Sequence, residues 1–240
     1  MFIIPMAGKS SRFYKEGYNV PKFMLPLGKT LVFTQAIKSF SLYFKSDFFL
    51  FIIRNENGVA DFVNNQCKHL GISNYEVVSL NSDTRGQAET VYFGIQQSKL
   101  INHNDDIYIF NIDSIRLNFS KPTKSFLKDI GGYLEVFKGE GNHWSFIEKD
   151  DNGFVKRTTE KIRISNLCSN GLYYFKSCNL FMKTFKKLEL VNNYKELFVA
   201  PMYNLLIQKK MIVKFNLINT SSTLFSGTPK EYELLIKKYS

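Results

Sequence analysis

The chain lacks any apolar stretch of the roughly eighteen residues needed to cross a bilayer, so no membrane-spanning helix is expected. Its first residues carry no basic segment ahead of a long apolar run, so no secretory signal is read there. Cysteine is scarce, and Cys67, Cys168 and Cys178 have no metal-like spacing. They are expected to be free thiols in a reducing, cytoplasmic setting. Histidine is equally sparse: His69, His103 and His143 form no dyad and no metal set, and His69 and His103 read as surface residues. Two phosphate-binding signatures are missing as well. A P-loop needs a Gly five residues before its Gly-Lys pair, and Ile3 stands there ahead of Gly8-Lys9. A Rossmann Gly-x-Gly-x-x-Gly is absent. There is no repeat, no low-complexity tract and no clear linker, so 240 residues fit one domain.

The basic residues are in excess, giving a net charge of +11, but they are spread along the chain. Only short clusters occur, such as Lys186-Lys187, Lys209-Lys210 and Lys237-Lys238, at expected helix ends or on solvated faces. That distribution fits attraction of small polyanions better than a nucleic-acid surface. Neither nucleic acid nor membrane is an expected partner, and self-association stays open.

Strands and helices alternate through the first half. Strands are expected at Phe2–Met6, Phe48–Arg54, Tyr75–Leu80 and Ile107–Ile112, with helices at Thr30–Phe44, Val59–Leu70 and Gln87–Lys99. Gly71 is placed to cap the second helix. This alternation predicts a parallel sheet with helices on both faces. After about residue 130 the pattern turns to short strands, at Gly132–Lys138, His143–Glu148, Phe154–Thr159 and Leu172–Phe175. Asp151-Asn152-Gly153 is a hairpin signal. Helices around Leu180–Lys187 and Tyr194–Lys209, a strand at Ile212–Leu217 and a helix at Pro229–Tyr239 finish the chain. Thr228 is the N-cap of that last helix and Pro229 its first residue.

The most informative segment is the first thirty residues. A short apolar strand runs into a small basic loop, Ala7-Gly8-Lys9-Ser10-Ser11-Arg12. Pro21-Lys22 follows, and then Leu25-Pro26-Leu27. Backbone N–H groups, a guanidinium and an ammonium at the end of a first strand suit a triphosphate. Thr84-Arg85-Gly86-Gln87 opens a helix after a strand, which is either a phosphate-facing N-terminus or an ordinary capped loop. Phe110-Asn111-Ile112-Asp113 carries a carboxylate to the carboxyl edge of the sheet, where α/β ligand sites lie. A structural Asp capping the next turn is the other reading. The Asn111-x-Asp113 spacing is also similar to the Asp-x-Asp metal motif of nucleotide-sugar glycosyltransferases.

Together these segments resemble the sugar-phosphate nucleotidyltransferase family, over nearly the whole chain. The resemblance implies an α/β fold: a single-domain, Rossmann-like mixed sheet with helices on both faces (nucleotidyltransferase, GT-A-like) and a smaller β-rich acceptor-binding part. Residues 1–130 would be the nucleotide-binding half and 131–240 the acceptor-binding half. It implies main-chain contacts to the nucleotide at Ala7, Gly8 and Gly86, and a base-reading amide at Asn81. Arg12 would hold the β/γ-phosphates and Lys22 would neutralise charge between the reacting phosphates. Asp113 would bind Mg²⁺. Trp144-Ser145-Phe146 stands where the family lines its sugar pocket, and Glu160-Lys161 matches its Glu-Lys-Pro motif, with Ile162 for Pro. Ser145, Glu160, Lys161 and Asn170 are therefore acceptor-binding candidates, and His143 is a further one. Asn170-Gly171-Leu172-Tyr173 and Gly227-Thr228-Pro229 complete the match. Two departures stand out: Lys9 replaces the usual second Gly, and Phe225 replaces an Asp that serves many relatives as a second metal ligand.

The implied reaction is NTP plus a sugar 1-phosphate or similar phosphorylated acceptor giving an NDP-linked product and pyrophosphate, for surface-polysaccharide precursors. Cytidylyl transfer to a choline- or glycerol-type phosphate is an alternative. A non-catalytic nucleotide sensor of the same fold, suggested by Phe225, is another.

Overall fold

The computed structural model describes residues 1–191 and 196–239. From the N-terminus, β1 (Phe2–Met6) leads through a loop into a short helix, α1 (Ser11–Lys15). A hairpin of β2 (Pro26–Leu27) and β3 (Thr30–Leu31) turns into α2 (Val32–Lys38). The alternating part follows as β4 (Phe48–Arg54), α3 (Val59–Leu70), β5 (Asn74–Leu80), α4 (Gln87–Gln97) and β6 (Ile107–Phe110). Next come β7 (Ser114–Arg116), α5 (Lys124–Leu127), β8 (Ile130–Lys138), β9 (Ser145–Lys149), β10 (Val155–Glu160) and β11 (Leu167–Phe175). The chain ends with α6 (Cys178–Val191), α7 (Met202–Gln208), β12 (Ile212–Leu217), β13 (Thr223–Phe225) and α8 (Pro229–Tyr239).

Nine strands form one mixed sheet in the order β10-β9-β11-β6-β1-β4-β5, with β8 pairing to β11 and β12. β1, β4, β5 and β6 run parallel, and β11 joins them antiparallel to β6. The central strands are apolar throughout because both faces are covered. Their alternation divides two cores. Ile3, Leu50 and Ile52 pack with α4, α6 and α7, whereas Phe2, Ile4, Phe49, Phe51 and Ile53 pack with α2, α3 and α8. Cys67, Cys168 and Cys178 are buried free thiols. No helix among the described residues is long and apolar enough to cross a membrane.

The mixed sheet with helices on both faces matches the sequence-based expectation. So do the bounds of β4, α3, β12 and α8, and Gly71 caps α3 in a left-handed conformation with φ 71°. Several elements differ. The helix expected over Thr30–Phe44 covers only Val32–Lys38, because Thr30 and Leu31 pair with the preceding strand and a 3₁₀ turn follows at Ser41–Tyr43. Phe40 and Phe44 keep the apolar period because they pack into the same core. The helix expected over Tyr194–Lys209 begins only at Met202, behind Pro201; residues 194–195 of that range lie outside the described residues. The strand expected at Leu172 starts at Leu167, through polar residues that look like a turn. β7 and β13, which pair with each other, were not anticipated.

Candidate active site

The parallel strands β1 and β6 end side by side, and β11 passes antiparallel beside β6. Their loops open a cavity of about 600 Å³ at the carboxyl edge of the sheet, the expected place for a ligand in this architecture. Ala7, Gly8, Arg12, Lys22, Gly86, Asp113, Ser145, Glu160, Lys161 and Asn170 all line it, as does His143. Asn81 does not: it lies outside the cavity wall, where its Oδ1 accepts a hydrogen bond from Asn55 Nδ2 at 2.9 Å.

The basic loop is shaped at Ser10 rather than at Gly8. Ser10 is left-handed, with φ 50°, and a Cβ on Gly8 would meet nothing within 4 Å. The Ser10 hydroxyl accepts a hydrogen bond from the Lys22 backbone N–H at 3.1 Å. This bond ties the loop to the Pro21-Lys22 segment across an intervening helix. Arg12 is exposed and has no partner among the described residues, so its guanidinium is available to an anion. Lys9, where a small residue was expected, is paired to Asp83 at 2.6 Å, and Arg54 reaches the same carboxylate at 3.5 Å.

Asp113 follows β6 in a tight turn: β6 ends at Phe110 rather than Ile112, and the Ser114 N–H donates to the Asn111 carbonyl. The Asp113 carbonyl accepts from the Ser226 N–H at 2.8 Å. Asp113 Oδ2 lies 2.5 Å from Lys22 Nζ, and both side chains are about one-fifth exposed (23% and 21%). Nearby, Gly227 keeps the approach open. A Cβ there would sit 3.0 Å from Asp113 Oδ2 and 3.4 Å from Glu231 Oε2. Glu231 itself accepts from the Thr228 N–H, while the Thr228 hydroxyl accepts from the Glu231 N–H, a capping box at the start of α8.

The expected helix N-terminus is present in α4, but its first turn is already engaged. The Ala88 N–H donates to the Leu197 carbonyl and the Leu197 N–H to the Arg85 carbonyl. Gly86 has φ 146°, and a Cβ on it would come 2.5 Å from the Leu197 oxygen. Only glycine fits there. Gln87, the next residue, lines the cavity and donates through Nε2 to Asn111 Oδ1.

At the other end, Glu160 and Ser145 are register partners on β10 and β9, and the Ser145 hydroxyl donates to the Glu160 carboxylate. Burial pushes the Glu160 carboxyl up from its usual range; the Ser145 hydrogen bond and the Lys161 charge oppose this. Lys161 has φ 56° and an ammonium held by Glu196 at 3.0 Å, 4.5 Å from the centre of the Phe198 ring. Asn170 is buried and its amide faces inward. Its Nδ2 donates to Glu135 at 3.0 Å and its Oδ1 accepts from the Leu172 N–H at 3.1 Å. It contributes wall, not a free amide. Phe225 packs 4.6 Å from Trp144 and 5.3 Å from Phe137, and His143 lies 4.3 Å from Trp144. The place expected to hold a second acid is therefore part of an aromatic wall. Among the described residues, no three His, Cys, Asp or Glu side chains converge on a metal position.

Sequence reasoning did not single out Gln87, Phe198 or Glu231 as cavity residues. Gln87 adjoins Gly86 in the first turn of α4 and could have been found there. Phe198 reaches the cavity only through tertiary packing, which leaves no local pattern.

Fold and site together define a class: a mixed α/β sheet whose first-strand loop, Pro-Lys segment and strand-end carboxylate meet at one edge. No family model and no curated protein matches the chain. Among solved structures, it is similar to the nucleoside-diphosphate-sugar pyrophosphorylase from Vibrio cholerae RC9, with TM-score 0.93 and 40% identity over 99% of this chain and 100% of that one. It also resembles a putative glucose-1-phosphate thymidylyltransferase from Bacillus anthracis, with TM-score 0.76 and 16% identity, covering 99% and 94%. The inositol-1-phosphate CTP transferase from T. maritima gives TM-score 0.74 and 15% identity, covering 99% and 95%. The last two share the fold. At the identity and coverage of the first, the chain belongs to the sugar-phosphate nucleotidyltransferase family.

Proposed function

We propose that this protein transfers NMP from an NTP to a sugar 1-phosphate or similar phosphorylated acceptor and releases pyrophosphate. The observation that carries the reading is convergence: Arg12, Lys22 and Asp113 from the first half share one cavity wall with Glu160 and Lys161 from the second. The chain thus divides into a nucleotide half, 1–130, and an acceptor half, 131–240, built on one sheet. Arg12 binds the β/γ-phosphates through its open guanidinium fork. Lys22 leaves Asp113 for the phosphates between which charge develops. Glu160 accepts a hydrogen bond from an acceptor hydroxyl, and Lys161 exchanges Glu196 for the acceptor phosphate. Gly8 and Gly86 bring main chain to the nucleotide.

The Asp113 carboxylate, a hard oxygen donor beside the open space at Gly227, fits Mg²⁺. That ion commonly takes one or two carboxylates and completes its shell with phosphate oxygens and water. Asp113 would hold it, and the ion would supply neutralisation of the triphosphate charge. Phe225 stands in place of a second acid, so substrate phosphates and water would have to supply the ion's remaining oxygens. An acceptor phosphate has its second pKa near 6 and is a nucleophile at neutral pH without a general base. Its oxygen attacks the α-phosphorus in line, the bond to the β-phosphate breaks, and pyrophosphate leaves. Catalysis comes from placement and charge cancellation. The buried thiols fit a cytoplasmic setting, and by family resemblance the product serves a surface polysaccharide such as a capsule.

One observation favours a second reading. The Trp144 and Phe225 rings in the cavity wall suit a phospho-alcohol with an apolar or N-alkylated head, the choline type, better than a fully hydroxylated ring. A pyrophosphate-release screen of each common NTP against phosphorylated sugars and phospho-alcohols separates these. Turnover with a sugar 1-phosphate supports the first reading, and turnover confined to phospho-alcohols supports the second. Nucleotide binding without release from any pair would leave a sensor.

A further inference from the structure

Below the cavity lies a buried polar cluster that the reaction does not use directly. Glu135 on β8 is 1% exposed. Its carboxylate accepts from Arg116 Nε at 2.7 Å and Nη2 at 3.3 Å, from Asn170 Nδ2 at 3.0 Å and from Asn216 Nδ2 at 3.2 Å. A buried ion pair is seldom the most stabilising choice, since apolar residues of similar volume often do as well or better. What these partners hold in place is therefore the informative point.

Arg116 ends β7, the strand that leaves Asp113 and pairs with β13. Asn170 sits where the pairing of β11 with β8 shifts register, between Ser169 and Tyr173. The next residue, Gly171, has φ 92°, and a Cβ on it would strike Asn111 Nδ2 at 2.7 Å. The Gly171 carbonyl accepts from the Asn111 N–H at 3.2 Å. Asn111 in turn opens the turn that carries Asp113. One carboxylate thus grips the segment before Asp113, through Asn170 and Gly171, and the segment after it, through Arg116.

We propose that Glu135 is a positioning residue, clamping β7 and the β11 bulge so that the Asn111–Asp113 turn presents its carboxylate at the geometry that phosphoryl transfer needs. The catalytic part of this inference rests on the transferase reading; the clamp itself does not. Misplacing a reacting group by about an ångström through a remote change costs roughly 10²-fold in rate.

The test begins with amide hydrogen exchange on Glu135→Gln, whose amide turns a donor toward donors it cannot bond. The expected result is faster exchange in peptides spanning 111–116 and 169–172, with β4 peptides unchanged. Unchanged exchange at the site, or faster exchange everywhere in proportion to lost stability, overturns the clamp. This arm is independent of activity. In turnover assays, kcat is expected to fall roughly 10²-fold, with NTP affinity by calorimetry within about threefold. A folded variant with wild-type kcat overturns the catalytic part. If Glu135→Gln does not fold, the Arg116→Met/Glu135→Leu double variant takes its place, because apolar replacement removes the charge pair without stranding either ion. Faster exchange in the 111–116 and 169–172 peptides, with β4 peptides unchanged and low kcat, supports the proposal; wild-type exchange at the site overturns it. A wild-type enzyme that releases no pyrophosphate sinks the transferase reading and leaves the exchange result standing.

Discussion

At the residue scale, the proposed chemistry centres on the ion pair of Lys22 and Asp113. Lys22 opens a one-turn 3₁₀ helix and Asp113 sits in a turn; the Lys22 N–H is fixed by the Ser10 hydroxyl and the Asp113 carbonyl by the Ser226 N–H. If Lys22 acts on charge that develops during reaction, Lys22→Ala should lower kcat by roughly 10²–10³, and Asp113→Ala should remove most Mg²⁺-dependent turnover. Steady-state kinetics check both. A change confined to KM would mean uniform binding instead. Glu160 offers a test by pH. Its carboxyl is raised in the folded protein by burial, so the charged form is disfavoured relative to the unfolded chain. The resulting contribution is fully present below the unfolded carboxyl's pKa and is lost as pH rises through the folded one. Thermal melts of wild type and Glu160→Gln should therefore differ least in acid. The variant should gain relative stability toward neutral pH while binding acceptor more weakly. A difference that is flat with pH would contradict the assignment. That Arg12, Lys22, Asp113, Glu160 and Lys161 gather at one cavity was legible in the sequence because each belongs to a motif with fixed neighbours. Asn81, read from position alone, falls outside the residues that line the cavity and accepts a hydrogen bond from Asn55.

At the element scale, the strands of the first half were readable because burial on both faces leaves unbroken apolar runs, and α3 because Gly71 marks its end. The unreadable parts are those decided by contacts between distant segments. β11 runs through Ser169-Asn170-Gly171, polar residues that signal a turn until Glu135 is seen to satisfy Asn170. The Glu196–Ala200 stretch is not helical because it crosses the start of α4, bonded to Arg85 and Ala88, before Pro201. That crossing links the loop before α4 to the Lys161–Glu196 pair and makes Gly86 a demanding position. Gly86→Ala places a Cβ 2.5 Å from the Leu197 oxygen at φ 146°. Backbone strain of this kind costs on the order of 1–3 kcal/mol. A lower melting temperature together with weakened NTP binding is expected; wild-type values for both would show that the loop gives way freely.

At the scale of the whole molecule, one sheet carries both parts of the proposed site. In the proposed reaction the loops after the parallel strands present cations and a carboxylate to the triphosphate, and the antiparallel part presents Glu160 and Lys161 to the acceptor. Removing the Lys161 ammonium should weaken acceptor binding by calorimetry and leave NTP binding nearly unchanged. Equal losses for both ligands would mean that the two halves are not separate sites. The central claim, attack of an acceptor phosphate oxygen on the α-phosphorus, is tested most directly by isotope position. An acceptor carrying ¹⁸O in its phosphate group is turned over with the preferred NTP, and the products are read by ³¹P NMR. The account predicts ¹⁸O in the bridge of the new P–O–P link and unlabelled pyrophosphate. Label in the released phosphate species, or an unlabelled bridge, would contradict it.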